Sequence, residues 1–168
     1  MPTWYRLLYW LVVFVFGLMV QTALLPQIFP IGYVPSVMVP LVVILALYET
    51  PRRGLALGLL AGLLADLWGG RLIGMNTVTF GLLGYVVANY QGRIQHDPIF
   101  MPGLVGGVSQ LAVASVDWLS LRLIGYPIPA QGLIAPLPYW VLFGMLFTPA
   151  MGAILGFRPS LRRMGRRH

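Results

Sequence analysis

A chain of 168 residues that is 58% hydrophobic and only 9% charged has the length of one domain but cannot cover itself with a water-soluble surface, so it is read as a membrane protein. All 11 basic residues are arginine and the acidic residues are Glu49, Asp66, Asp97 and Asp117, a formal charge of +7. The excess sits in a short tail, which excludes a basic nucleic-acid-reading face, and the lack of cysteine excludes disulfides, thiolate metal sites and cysteine nucleophiles.

Residues 7–25 make the first apolar run, close to the ~20 needed to span a bilayer. Arg6 precedes it as in a signal peptide, but the run is long for that role and no small-x-small cleavage site follows, so it is read as a retained helix. A prolyl turn with Pro26, Pro30, Gly32 and Pro35 leads into a second span, 31–48, expected to bend near Pro40 and to stop at Glu49-Thr50-Pro51-Arg52-Arg53. The third run, 54–68, would cover only about 22 Å as a helix, which places Gly69-Gly70-Arg71 in a turn inside the membrane profile. Asn76 or Thr77 can cap the fourth helix, 73–90. A polar loop with Arg93, His96 and Asp97 follows, then a fifth helix, 99–121, carrying Gln110 and Asp117. After Gly125, Pro127 and Pro129 a sixth, 133–157, contains Pro149 as a kink. The expectation is an all-α polytopic fold of six transmembrane helices in one domain, 1–157, with a basic tail, 158–168.

Arginines on alternate sides of this arrangement set its orientation. Arg6, Arg52, Arg53, Arg93 and the tail residues Arg158, Arg162, Arg163, Arg166 and Arg167 fall on one side, and Arg71 and Arg122 on the other. By the positive-inside rule both termini are cytoplasmic, and the tail can bind anionic lipids, fix topology or contact a cytoplasmic partner.

Two patterns stand out. Gly54, Gly58 and Gly62 recur every four residues and end at Asp66, so on a helix they drift by only about 40° per step and form one groove. Such a groove packs the chain's own helices or receives a helix of another chain. Second, Asp66-Leu-Trp-Gly-Gly-Arg71-Leu-Ile-Gly74 and Asp117-Trp-Leu-Ser-Leu-Arg122-Leu-Ile-Gly125 agree at Asp, Arg, Leu, Ile and Gly with a constant offset. If the echo is a repeat, helices three-four and five-six are equivalent hairpins, and Asp66 and Asp117 are expected to pair with Arg71 and Arg122, since an acid at membrane depth needs a partner.

Catalytic apparatus is scarce. His96 lies in a loop and His168 in the tail, no histidine or lysine accompanies Ser109, Ser115 and Ser120, and arginine beside each aspartate disfavours a shared-proton dyad. Neither an enzymatic activity nor a cofactor is expected. A small-molecule transporter subunit, the alternative, would have to draw a site from Gln21, Asp66, Asn76, Asn89, Gln110 and Asp117.

The Gly-x3-Gly-x3-Gly-x3-Asp segment from Gly54 to Asp66, the turn into Leu72-Ile-Gly-Met-Asn76 and the run Phe80-Gly-x2-Gly-Tyr85 resemble the rod shape-determining protein MreD family. In that family the turn after the acid often contains proline, where this chain has Gly69-Gly70-Arg71. The resemblance implies a non-catalytic scaffold of the bacterial elongation machinery in the inner membrane. Its helix arrangement is similar to that of the substrate-binding subunits of energy-coupling-factor transporters. The implied partners are MreC, the glycosyltransferase RodA with its class B penicillin-binding transpeptidase and, indirectly, MreB; a vitamin-type transporter subunit is the competing reading.

Overall fold

A computed structural model of the chain describes residues 3–30, 33–69, 74–90, 100–126, 129 and 131–155. Among these residues the regular structure is helical: α1 (Thr3–Met19) runs through a π turn (Val20–Leu24) into α2 (Leu25–Ile28), followed by α3 (Met38–Tyr48), α4 (Pro51–Gly69), α5 (Met75–Asn89), α6 (Phe100–Leu123), α7 (Gln131–Ile134) and α8 (Leu137–Ile154). Leu8–Ile28, α6 and α8 are long and apolar enough to cross a membrane. The other three of the six expected spans differ from these. The helices α3 and α5, with 11 and 15 residues, reach only about 16 and 22 Å, and α4 carries Arg52, Arg53 and Asp66.

The second expected span, 31–48, is a helix only from Met38 onward. Residues 33–36 are non-helical, as Pro35 and the glycine and prolines before it favour. Pro40 therefore does not bend a long helix. It falls in the first turn of α3, where its missing N–H has no intrahelical partner to lose. The expected stop at Glu49–Arg53 is also shorter than the sequence suggests. Only Glu49 and Thr50 separate α3 from α4, because Pro51 is suited to the first helical position, the Gly54 N–H donates to the Thr50 carbonyl at 2.8 Å, and Arg53 pairs with Glu49 one turn back at 3.2 Å. As a result α4 has 19 residues instead of 15.

Every residue of α3 from Met38 to Leu47 is buried, as expected of a helix apolar on all sides. It is the axis of the bundle, in contact with α1, α4, α5, α6 and α8. Around it the other helices pair off. The tightest associations are α4 with α5 and α6 with α8, whereas α5 and α6 touch only sparsely.

Both pairs are sealed by glycine. A side chain on Gly54, Gly58 or Gly62 would run into the α5 backbone at Gly84, Phe80 and Asn76, respectively. In the second pair, Gly103 faces the Met145 carbonyl, while Gly106 and Gly144 face each other's carbonyls, with Thr148 against Gly106. Pro149 lies inside α8 and has no N–H for the Met145 carbonyl, so the Gly103 Cα–H lies where that oxygen is left without its helical donor. The first glycine set is legible as a ladder. The second is split between two helices, so no single period in the sequence marks it.

Candidate functional site

Two polar constellations lie within this apolar bundle. The first is built on Asp66, near the end of α4 and 3% exposed. Its Oδ2 accepts from the Gly74 N–H at 2.9 Å, the Thr77 N–H at 3.0 Å and the Thr77 hydroxyl at 2.6 Å, and its Oδ1 from the Asn76 N–H at 3.1 Å. The physical need is plain. The first N–H groups of α5 have no intrahelical acceptor, and its N-cap is Gly74, left-handed at φ 97°, with no side chain to offer one. Asp66 supplies that oxygen from the neighbouring helix, and its negative charge lies at the positive end of the α5 dipole. Asn76 and Thr77, expected as caps, contribute donors instead.

The expected pairing of Asp66 and Asp117 with Arg71 and Arg122 falls partly outside the described residues. The hydrogen-bond partners of Asp66 among the described residues are neutral donors, and Arg71 lies outside those residues. Arg122 is exposed in the last turn of α6 and lies over the Trp118 ring, 5.0 Å from its centroid. Asp117 is half-buried on α6. Gly54, Gly58 and Gly62 are all buried against α5, so the groove offered for a foreign helix is filled by the chain itself. The tail arginines Arg158, Arg162, Arg163, Arg166 and Arg167 lie outside the described residues.

The echo has one conformational counterpart. Gly74 and Gly125, its matching last residues, are the two described residues with positive φ, at 97° and 92°. Their settings differ. Gly74 opens α5, while Gly125 closes α6, with its N–H donating to the Arg122 carbonyl and the Tyr126 N–H to the Leu121 carbonyl, the pattern of a Schellman end.

The second constellation clamps the non-helical segment ahead of α3. The Val37 N–H donates to Gln21 Oε1 at 2.9 Å, Gln110 Nε2 donates to the Ser36 carbonyl, and Trp140 Nε1 donates to the Tyr33 carbonyl at 3.1 Å. Backbone without helical partners is costly at membrane depth, and three side chains from the π turn, α6 and α8 satisfy it. The π turn sets Gln21 for this bond, while the Thr22 hydroxyl bonds back to the Leu18 carbonyl at 2.8 Å. Gln21 and Gln110 were both visible as isolated polar residues. Their common target was not, because nothing in the sequence says that residues 33–37 enter the bundle.

Two further transporter candidates, Asn89 and Asn76, are engaged elsewhere. Asn89 Nδ2 bonds the Tyr85 carbonyl of its own helix, and the Asn76 backbone serves Asp66. Among the described residues no group of three or more histidine, aspartate or glutamate side chains is placed to hold a metal.

Comparison with curated proteins and with solved structures gives no match, so the similarity of helix arrangement to energy-coupling-factor subunits is without support. A family model for the rod shape-determining protein MreD matches residues 1–116. That stretch contains α1 to α5, the Asp66 cap, the α4 glycines and both glutamines of the clamp, and it ends one residue before Asp117. The chain belongs to the MreD family of rod shape-determining proteins.

Proposed function

We propose that the chain is a non-catalytic scaffold subunit of the bacterial elongation machinery, supporting lateral peptidoglycan synthesis by holding partner transmembrane helices. MreC and RodA with its class B penicillin-binding transpeptidase are the direct partners, and MreB an indirect one. The chain sits in the inner membrane with both termini cytoplasmic, in keeping with nine arginines on that side against two on the other.

The observation that carries this reading is the use made of polar groups at membrane depth. Asp66, Gln21 and Gln110 are engaged by the chain's own backbone, which supports a structural duty and leaves a transporter site short of its ligands. Partner helices then have the outward apolar faces to use, such as Leu8, Val12 and Phe16 of α1.

Complementation tests the absence of chemistry. A chain carrying Asp117→Asn, Ser109→Ala and His96→Gln together should restore rod shape to cells depleted of the native protein. Loss of shape at a normal level of the membrane-inserted variant would contradict the scaffold reading.

A further inference from the structure

We infer that the seam between α5 and α6 holds one acyl chain of an anionic phospholipid from the cytoplasmic leaflet. This is a place in the ring around α3 where adjacent helices barely touch, and it opens into a crevice of ≈ 360 Å³. Leu83, Val86 and Val87 line one wall, and Leu104, Val105 and Val108 the other. The lining is apolar apart from Ser109 and the Tyr90 hydroxyl, so an occupant must be hydrocarbon along its length.

Size chooses among hydrocarbon occupants. A transmembrane helix is about 10–12 Å across and two turns of it exceed this space, whereas a flexible chain fits between two helices. Charge chooses the headgroup. Tyr90, half-exposed, ends the crevice at the same end of the bundle as Arg52 and the Arg53–Glu49 pair, since Gly54 packs on Gly84 and Ala88. That end is the arginine-rich side of the chain, so a chain entering there brings its phosphate to a positive surface. The choice of leaflet rests on the orientation proposed above; occupancy of the crevice does not.

The test uses the full-length chain in vesicles of equal parts phosphatidylglycerol and phosphatidylethanolamine, with a photoactivatable group on the acyl chain of one lipid at a time. Labelled peptides are mapped by mass spectrometry. The expected result is labelling at Leu83, Val105 and Val108 several-fold above that at Leu146, which is 73% exposed on the open face of α8, and stronger from phosphatidylglycerol. Filling the space with Val108→Phe and Ala112→Phe should remove that enrichment, while Leu146→Phe should leave it. Equal labelling of the crevice and Leu146 in the native chain overturns the site, whatever the fold of the filled variant. Enrichment with no headgroup preference overturns the anionic lipid. Enrichment by phosphatidylglycerol when termini are found on the opposite side overturns the orientation but not the site.

Discussion

Replacing Gly58 by leucine is expected to break the α4–α5 hairpin outright. A Cβ at this position would overlap the Phe80 carbonyl and press on Gly81 Cα, and both are main-chain atoms that no rotamer change can move aside. Overpacking against side chains costs about 1–3 kcal/mol, and a collision with backbone exceeds that because the two helices must separate along their length. The purified variant should lose its cooperative thermal transition in detergent and its monodisperse elution. Gly69→Leu is the matched control, since Gly69 is exposed at the end of the same helix with nothing within 4 Å of a new Cβ. It should change stability by less than about 0.5 kcal/mol. Equal thermal transitions for the two variants would show that α4 and α5 do not meet through glycine. Loss of MreC from the Gly58 variant would report a broken hairpin and not a lost contact, because the face concerned is turned toward α5.

Asp66→Ala is expected to be the most damaging change to a polar side chain. It leaves three partly buried N–H groups and a hydroxyl at the start of α5 without their acceptor. A lost cap costs about 1 kcal/mol and each buried donor left unpaired about 1–3 kcal/mol, so a loss of about 3 kcal/mol or more follows. Asp66→Asn should be milder, because its single carbonyl oxygen can take the place of Oδ2, which accepts three of the four bonds. Arg122→Gln should cost less than about 1 kcal/mol, the range of an exposed cation–π contact. Thermal unfolding of the four chains in one detergent decides the matter. If Arg122→Gln destabilises as much as Asp66→Ala, the carboxylate depends on an arginine and not on the α5 cap.

What the sequence revealed and what it concealed divide along physical lines. The glycine ladder of α4 was legible because a four-residue period marks one helix face regardless of what covers it. Which helix covers it was not, since α5 meets the ladder mostly with backbone atoms, which every sequence has. The same reason concealed the partners of Asp66. An acid at membrane depth demands compensation, and arginine is the visible candidate in a sequence, whereas the N–H groups of a helix start are silent. The shortness of α3 was concealed by its composition. A fully apolar run reads as a span, while the same property makes Met38–Leu47 the buried axis of the bundle, with its leading segment held by Gln21, Gln110 and Trp140. Those three lie far apart in the chain and share no period, so only the fold brings them together.

The most direct measurement of the scaffold role is a gentle-detergent capture of the tagged full-length chain from its native membrane, with the bound proteins identified by mass spectrometry. Recovery of MreC and the cell-wall synthases is the predicted result. Recovery of an ATPase pair with a coupling subunit, and no cell-wall protein, would contradict it and make the chain a transporter component.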